Sequence, residues 1–220
     1  MTARTPSRKG PAPQPWDIVD ASFAAAAAAI SEVPATMGAE LAFAGRSNVG
    51  KSSLMNTLLG RRRLVRTSST PGCTRKISFF QARSRDGAVL WLVDLPGYGY
   101  AERSKSERSA WARLIEGYLA ERDSLRAVVV LIDARHGLTE GDTQLMQFLE
   151  TSARAKPRII LVATKLDRVP KSQQRAHLAK LGRELDRPVI GASAETGEGT
   201  VEIWRALREA ALGSQEAAVR

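Results

Sequence analysis

The sequence predicts an α/β protein of three layers, in which helices cover both faces of a mostly parallel, six-stranded sheet with one antiparallel edge strand. Short apolar runs alternate with segments in which apolar residues recur every three or four positions, and this alternation is typical of parallel sheets. Turn-forming residues 84–87 join two neighbouring runs and predict a hairpin, which accounts for the antiparallel strand. A glycine-rich segment joins the first run directly to the first helical pattern.

Each apolar run is short enough to be one strand of the predicted sheet. The six runs are residues 41–44, 76–82, 89–93, 128–132, 159–163 and 188–190. Helices are predicted for the periodic segments at residues 54–59, 104–121, 139–149 and 171–181 and around Trp204. In such sheets ligands bind beyond the carboxyl ends of the strands, so polar residues that follow a strand are the first candidates for a site.

The chain of 220 residues is about the size of one α/β domain with tails. Residues 21–212 are predicted to form that single domain, and residues 213–220 a C-terminal tail. Residues 1–20 are predicted to be a flexible basic tail, because four of the ten prolines fall there and no acidic residue precedes Asp17. A short organelle transit peptide is the alternative. The conformation of the alanine-rich residues 24–29 stays open, although alanine favours helix.

Composition limits the classes of protein to which the chain can belong. With 43% hydrophobic residues it can bury an ordinary globular core. Cys73 is the single cysteine, so an internal disulfide is excluded and a reducing, cytoplasmic location is expected. No apolar run approaches the roughly 18 residues of a membrane-spanning helix, and we expect no membrane association. We also expect a monomer.

The net charge of +10 is concentrated in one part of the chain. Residues 41–85 contain ten lysines and arginines and no acidic residue, and without these ten the chain has 23 basic and 23 acidic residues. Four of the arginines, at positions 61, 62, 63 and 66, follow the first predicted helix and cannot all reach one nucleotide. Such a patch favours a polyanionic partner such as RNA, and a merely solvated arginine face is the alternative.

The glycine-rich segment matches the phosphate-binding pattern G-x-x-x-x-G-K-S/T. Its glycines allow backbone N–H groups to surround phosphate oxygens at the positive end of the following helix. The lysine can reach the terminal phosphates, and the hydroxyl group that follows it can ligate Mg²⁺. The predicted binding residues of this segment are Gly45, Arg46, Ser47, Asn48, Val49, Gly50, Lys51 and Ser52. We therefore predict that the chain binds a nucleoside triphosphate.

A second motif follows the run at 89–93 and consists of Asp94, Leu95, Pro96 and Gly97. The Asp94 carboxylate can hold the magnesium ion through a water, while the Gly97 N–H can meet a γ-phosphate. Loss of that phosphate on hydrolysis would then release the segment. The motif is common by chance, and its position after a strand and downstream of a phosphate loop gives it this meaning.

A third motif, which follows the run at 159–163, predicts the base. It consists of Thr164, Lys165, Leu166 and Asp167. The Asp167 carboxylate can accept two hydrogen bonds from guanine, whereas adenine offers no such pair of donors. Lys165 can either lie along the purine face or brace the phosphate loop. Backbone N–H groups after the last short run are expected to face the guanine carbonyl oxygen; the residues there are Ala192, Ser193, Ala194 and Glu195.

Together these motifs resemble those of the EngB (YihA/YsxC) family of bacterial ribosome-biogenesis GTP-binding proteins, a member of the TrmE-Era-EngA-EngB-septin-like class of GTPases. The resemblance runs from about Phe23 to Leu207 and depends on residues 45–52, 70–74, 94–100 and 164–167. Its most specific part is residues 94–100, and threonine at position 164 in place of the commoner asparagine looks typical of the family. The resemblance implies the three-layer P-loop GTPase fold.

The resemblance also implies a GTP- and Mg²⁺-dependent switch that assists assembly of the large ribosomal subunit, with the subunit precursor and its rRNA as partners and a link to cell division and septation. It implies that Thr74 ligates Mg²⁺ together with Ser52, and Thr70 is the nearby competitor. The first switch segment would consist of Gly72, Cys73, Thr74, Arg75 and Lys76. Cys73 departs from the basic or polar residue expected at its position, and Ala194 from a serine.

Two residues bear on hydrolysis of the nucleotide. Tyr98 stands where many signalling GTPases have a glutamine that orients the attacking water, so slow hydrolysis of GTP to GDP and phosphate is expected. Asn48 corresponds to an asparagine that helps to coordinate K⁺ in related potassium-stimulated GTPases. Stimulation by K⁺ is therefore a hypothesis for this chain.

Three other interpretations compete with this one. A P-loop ATPase or kinase would share the phosphate loop, but Asp167 argues against adenine. A membrane-linked signalling GTPase would need an anchor, and no lipidation cysteine lies near either terminus. A P-loop switch that acts on a non-ribosomal partner shares every motif and differs only in the partner.

Overall fold

The computed structural model of the protein describes residues 13–35, 38–66, 76–98 and 105–213, with side chains in the last range described from Arg113 onward. Several predicted site residues lie outside these ranges. They are Gly72, Cys73, Thr74 and Arg75, together with the competitor Thr70.

The described chain forms a mixed sheet of seven strands with the order β1-β3-β4-β2-β5-β6-β7. The strands are β1 Ile18–Ala27, β2 Glu40–Gly45, β3 Ile77–Ser84, β4 Val89–Asp94, β5 Leu125–Asp133, β6 Arg158–Thr164 and β7 Val189–Gly191. Strands β4, β2, β5, β6 and β7 pair in parallel with one another in this order. The predicted α/β class with a mostly parallel sheet is therefore confirmed.

The predicted antiparallel edge is present, but it contains one strand more than expected. β3 pairs antiparallel with β4 through the predicted hairpin, and β1 pairs antiparallel with β3 on its other side. The sheet therefore has seven strands in place of six, and β1 forms its outer edge. Because β1 begins at Ile18, the predicted boundary between tail and domain at residue 20 falls inside a strand.

Tertiary contacts explain why the alanine-rich segment becomes part of β1. Ala25, Ala26 and Ala27 pair with residues of β3, and Ala27 is completely buried. Phe23 packs edge-on against Phe80 with ring centroids 5.8 Å apart. Alanine favours helix in isolation, but pairing along a whole neighbouring strand outweighs so weak a preference.

Five helices cover the sheet within the described ranges. They are α1 Lys51–Leu58, α2 Lys105–Glu121, α3 Glu140–Thr151, α4 Lys171–Leu185 and α5 Thr200–Leu212, and short 3-10 helices lie at Ile30–Glu32 and Leu166–Arg168. Apolar residues of α1 and α5 pack on one face of the sheet, and those of α2 and α3 on the other. β5 lies between the two cores, because Val129 and Leu131 face the first while Val128 and Val130 face the second. This layering is the one predicted.

The start of β2 is fixed by a buried carboxylate. Glu40 is completely buried and accepts hydrogen bonds from the hydroxyl groups of Tyr118 (2.7 Å) and Ser124 (2.9 Å). The Arg122 guanidinium also donates to it, with Nε at 2.9 Å from each carboxylate oxygen. A buried charge is tolerated only when it is paired and hydrogen-bonded in this way. The opposite end of the same strand leads into the glycine-rich segment.

No helix in the described part of the chain is long and apolar enough to cross a membrane.

Candidate nucleotide-binding site

The predicted motifs meet at one edge of the sheet, beyond the carboxyl ends of its parallel strands. Gly45 ends β2, Asp94 ends β4 and Thr164 ends β6. The register places Phe43 opposite Asp94, and Asp133 at the end of β5 opposite Thr164. The fold thus brings together segments that are more than a hundred residues apart in sequence.

The glycine-rich segment adopts the predicted strand–loop–helix arrangement. The loop of residues 46–50, here named the phosphate loop, runs from the end of β2 to the start of α1. A Cβ on Gly45 would lie 2.8 Å from Val49 Cγ1, so no larger residue fits there. Gly50 has φ 101°, a left-handed conformation that favours glycine, and it directly precedes α1. Both glycines of the pattern therefore have a local steric cause in this structure.

The start of α1 has the properties of an anion-binding site. No side chain caps its first N–H groups, and its first turn contains no acidic residue. Such amides carry partial positive charge, and together with the helix dipole they favour a phosphate group. Ser52 lies in the first turn and is half-buried, where its hydroxyl can serve as a ligand of a hard cation. These donors fit a nucleotide phosphate with Mg²⁺.

Lys51 and Asp94 form a buried ion pair between the phosphate loop and the end of β4. Lys51 is 8% exposed and Asp94 4% exposed, and Lys51 Nζ contacts Asp94 Oδ1. Removing either partner would leave an uncompensated buried charge, which is strongly destabilising. The pair places an ammonium group and a carboxylate side by side at the end of the phosphate loop.

Thr164 connects β6 to the phosphate loop. Its hydroxyl oxygen is 2.6 Å from the carbonyl oxygen of Val49 and 3.2 Å from that of Ile132, and the side chain is buried. A hydroxyl has a single hydrogen, and the shorter distance assigns it to Val49. Position 164 therefore holds the phosphate loop directly.

Lys165 performs the second of its two predicted roles and braces the phosphate loop. Its Nζ donates to the carbonyl oxygen of Asn48 at 2.5 Å and to Asp133 Oδ2 at 3.0 Å. Its stem also passes over Gly50, where an added Cβ would lie 3.6 Å from Lys165 Cε. Lys165 and Asn48 both have positive φ angles, 56° and 65°, which aim the side chain and the carbonyl at each other.

Asp133 is a site residue to which the sequence assigned no role. It accepts hydrogen bonds from Lys165 and, at 2.9 and 2.7 Å, from the guanidinium of Arg135. Burial alone would raise the pKa of Asp133, but the hydrogen bonds from Arg135 and Lys165 outweigh it and hold that pKa well below its usual value. Its position directly after a buried parallel strand was the available signal.

The Asp167 carboxylate is held in place from two sides. Ser193 Oγ donates to Asp167 Oδ1 at 2.6 Å, and Arg168 Nε lies 3.1 Å from Oδ2. Ser193 itself is completely buried. Its backbone N–H donates to the carbonyl oxygen of Glu198, so it differs from the sequence-based expectation that it faces a base. Ser193 acts through its hydroxyl group, which orients Asp167.

The segment after Asp94 lies directly against the phosphate loop. Ser47 N–H donates to the Tyr98 carbonyl oxygen at 3.0 Å, and Tyr98 N–H donates to that of Gly45 at 3.3 Å. A Cβ on Gly97 would lie 3.0 Å from Ser47 N, which explains the glycine. The proposed sensor of the γ-phosphate is therefore in contact with the loop that would bind that phosphate.

The Tyr98 side chain joins this segment to α3. Its hydroxyl donates to Asp142 Oδ1 at 2.5 Å, and Asp142 also accepts from the Thr139 N–H and hydroxyl as part of the α3 capping box. Burial and the charge of Asp142 raise the pKa of Tyr98 far above its usual value, so the hydroxyl remains a donor. Asp142 is 1% exposed and was not found from sequence, because nothing in its local pattern distinguishes it from an ordinary helix-capping residue.

One cavity beside the phosphate loop and another far from it lie in the described part of the molecule. One, of about 200 Å³, lies beside the phosphate loop and is lined by Arg46, Asn48, Asp133 and Arg135 among others. The larger, of about 580 Å³, lies at the opposite ends of β6 and β7 and contains none of the motif residues. Only the first adjoins the chemistry described above.

Comparison with known proteins decides the family. A family model described as "50S ribosome-binding GTPase" matches residues 40–165. A "Probable GTP-binding protein EngB" from Shouchella clausii is 41% identical over 194 residues, which cover 86% of this chain and 95% of that protein. The chain belongs to the EngB family of GTP-binding proteins. A relative with the same name from Anaeromyxobacter dehalogenans is 42% identical over 211 residues, covering 92% of this chain and 95% of that protein.

Solved structures agree with this family assignment. A crystal structure of a probable GTP-binding protein EngB has a TM-score of 0.59 and 25% identity, and the match covers 78% of this chain and all of that one. The G domain of the FeoB iron transporter from T. maritima has a TM-score of 0.54 and 28% identity, covering 80% of this chain and 99% of that one. Era from Aquifex aeolicus shares the fold at a TM-score of 0.65 and 22% identity, and the match covers 80% of this chain and 57% of the Era chain. The predicted P-loop GTPase fold is confirmed.

Proposed function

We propose that this member of the EngB family is a GTP-dependent switch that assists assembly of the large ribosomal subunit and is needed for normal cell division and septation. The observation that carries the proposal is that Asp94 pairs with Lys51 and that Lys165 contacts the phosphate loop at Asn48, while Asp167, two residues after Lys165, is held by Ser193. The description of the matching family model, which names binding to the 50S ribosome, supports the choice of partner. The basic residues that follow the phosphate loop suit rRNA.

The nucleotide is proposed to bind with its phosphates in the phosphate loop and its base beside Asp167. Bound Mg²⁺ would neutralise phosphate charge, and Ser52 and Thr74 are the residues proposed to ligate it, with Asp94 acting through a water. Within the chain, Ser193 keeps the Asp167 carboxylate turned toward the base, and Lys165 keeps the loop in shape. The first switch segment is proposed to be Gly72, Cys73, Thr74, Arg75 and Lys76.

Slow hydrolysis of GTP is part of the proposal. The Tyr98 hydroxyl is engaged with Asp142, and a tyrosine cannot orient a water as a glutamine amide does. Asn48 is exposed on the phosphate loop, and we propose that it helps to bind K⁺. GTPase assays in KCl and in NaCl, with and without Asn48→Ala, test this. Equal rates in the two salts would contradict a role for K⁺.

Base selection is tested by competition. Labelled GTP bound to the protein should be displaced by unlabelled GTP and GDP and not by excess ATP, and displacement by ATP would favour the ATPase alternative. Asp167→Asn should weaken GTP binding, because it removes the charge that accepts both guanine donors. Asp123→Asn is the matched control, since that exposed carboxylate pairs with Arg154 at the far end of the sheet.

The partner is tested by sedimentation with large-subunit particles. The protein loaded with a GTP analogue should sediment with the particles, whereas protein with GDP or without nucleotide should remain largely in the supernatant. Equal sedimentation in all three cases would contradict a nucleotide switch, and no sedimentation in any case would favour a non-ribosomal partner. A monomeric, cytoplasmic protein is also proposed, and light scattering of the purified chain measures the oligomeric state.

A further inference from the structure

The turn that follows α1, residues 60–66, presents a cluster of arginines and is here named the arginine turn. Arg62, Arg63 and Arg66 are exposed, and none of them forms an ion pair within the described ranges. Arg61 differs, because its guanidinium lies 3.4 Å from the Val19 carbonyl oxygen and 3.9 Å from Asp20 Oδ1 at the sheet edge. Three of the four arginines are therefore available to a partner.

A buried side chain holds the arginine turn in one conformation. Asn56 of α1 is 5% exposed, and its amide nitrogen donates to the Val65 carbonyl oxygen at 2.7 Å while its amide oxygen accepts from Val65 N–H at 2.9 Å. The Asn56 carbonyl oxygen also accepts from Arg61 N–H at 2.9 Å. Val65 is 1% exposed in the core, and Leu64 packs against the same core. Contacts with Asn56 and with the core thus fix the backbone of the turn, while Arg62, Arg63 and Arg66 are exposed to solvent.

This construction argues against a merely solvated arginine face. A solvated charge gains nothing from a rigid backbone, whereas a binding surface gains affinity because less conformational freedom is lost when the partner is bound. The guanidinium group binds phosphate oxygens in a bidentate manner, and three of them along one turn match the repeated phosphates of a nucleic acid.

Ion pairs in the folded protein lower the number of unpaired cations in the basic region that the sequence predicts at residues 41–85. Residues 41–85 contain no acid, but β1 brings Asp20 to their side, where its Oδ1 lies 3.9 Å from the Arg61 guanidinium. Lys51 is paired with Asp94. The cations without an ion pair in the described part of this region are consequently fewer than the ten in the sequence, and three of them, Arg62, Arg63 and Arg66, lie on the arginine turn.

We propose that Arg62, Arg63 and Arg66 bind the phosphate backbone of RNA, and that Asn56 is a positioning residue for this surface. The proposal rests on the proposed ribosomal function and adds to it a contact that does not depend on the bound nucleotide. Within the described ranges, Val65 attaches the turn to Asn56 of α1, and the turn has no hydrogen bond to the segment after Asp94 that is expected to respond to the γ-phosphate. The contact is therefore made in both nucleotide states, and retention on large-subunit particles requires the contacts of the switch segments in addition.

Salt dependence of RNA binding measures the number of phosphate contacts. The logarithm of the binding constant falls with the logarithm of salt concentration by about 0.7 for each phosphate contacted on a single strand. The variant R62Q/R63Q/R66Q should thus reduce the slope by about 2. The probe is a labelled single-stranded RNA of mixed sequence, and binding to the full chain is followed by fluorescence anisotropy with GDP and with a GTP analogue.

A matched control removes the same charge elsewhere. Lys171, Arg175 and Lys180 are exposed on α4, which packs on β7 at the other edge of the sheet. The variant K171Q/R175Q/K180Q should keep the slope of the natural chain. An equal loss of slope in both triple variants would show that net charge alone is measured and would overturn the proposal, as would a full slope in R62Q/R63Q/R66Q.

Asn56→Ala tests the positioning role without touching an arginine. It should weaken RNA binding by about two- to tenfold, the cost of ordering a flexible contact, while affinity for GDP shows that the fold is kept. In the R62Q/R63Q/R66Q background the same change should have no further effect on RNA, because the surface that it positions is absent. An additive loss in that background would contradict the positioning role of Asn56. RNA binding that requires the GTP analogue would contradict a contact common to both nucleotide states.

Nucleotide-dependent sedimentation with large-subunit particles can fail or succeed independently of RNA binding by the arginine turn, so failure of one proposal is distinguishable from failure of the other.

Discussion

The hydrogen bond from Thr164 to Val49 offers a direct test of how the phosphate loop is held. Thr164→Val keeps the shape of the side chain and removes the hydroxyl, which leaves the Val49 carbonyl oxygen without this donor at 2.6 Å. A buried acceptor without a partner costs about 1–3 kcal/mol. The loop can avoid that cost by moving so that water reaches the carbonyl, but it must then pay the same free energy to return to the binding conformation.

We expect Thr164→Val to bind nucleotide more weakly than the natural chain. If the whole cost of about 1–3 kcal/mol falls on binding, the loss is about 5- to 150-fold, because 1.4 kcal/mol corresponds to tenfold in an equilibrium constant. GDP and a GTP analogue should be affected alike, since the hydrogen bond holds the loop and not the switch segment. Titration of a fluorescent GDP derivative measures the affinity, and urea unfolding measures whatever part of the cost remains in the free protein.

Thr164→Ser is the matched control for this prediction. It keeps the hydroxyl and removes only one methyl group, which costs about 0.8 kcal/mol of burial and leaves the Val49 contact in place. We expect Thr164→Ser to bind nucleotide like the natural chain. If serine and valine weakened binding equally, or if valine had no effect, the hydrogen bond would not be what holds the loop.

Three further predictions concern other contacts. Tyr98→Phe removes a hydroxyl from its buried carboxylate partner and should lower the free energy of unfolding by about 1.5–3 kcal/mol in urea, whereas an unchanged midpoint would contradict that bond. Because its folded pKa is lowered, Asp133 stabilises the protein above the unfolded pKa of 3.8 and loses that effect only as pH falls toward the folded value. Asp133→Asn should therefore loosen the Lys165 brace at neutral pH and weaken nucleotide binding there, and it should flatten the loss of stability of the natural chain below pH 3.8. Asp86→Asn should lower the free energy of unfolding by about 3–5 kcal/mol, because it leaves the 2% exposed Arg208 guanidinium as an unpaired buried charge. Nucleotide affinity, measured under conditions in which the variant is fully folded, should not change.

Much of the site follows from local spacing, because its chemistry depends on short motifs. The pattern around Lys51 requires glycines at fixed positions, and the structure gives each a steric reason that any chain with this loop would share. Asp94, Thr164 and Asp167 were found because each follows a buried strand, and parallel strands all end at the same edge.

Other site residues depend on contacts between distant segments and have no local signature. Asp142 reads as a helix cap until Tyr98 is placed against it, and Asp133 reads as a loop residue until Lys165 reaches it. Ser193 was assigned to the site for its backbone N–H, which is engaged with Glu198. Only the packed fold shows which atoms of these residues remain available.

The sequence by itself determined the α/β class, the mostly parallel sheet and the phosphate loop, because strand periodicity and short motifs are local properties of the chain. The tertiary structure decided three things. It made β1 a seventh strand, because pairing with β3 outweighs the helix preference of alanine. It chose the bracing role for Lys165, since the left-handed turn aims that side chain at Asn48. It also paired two cations of an acid-free stretch, Lys51 with Asp94 and Arg61 with Asp20, because acidic residues from other segments reach them only once the sheet has formed.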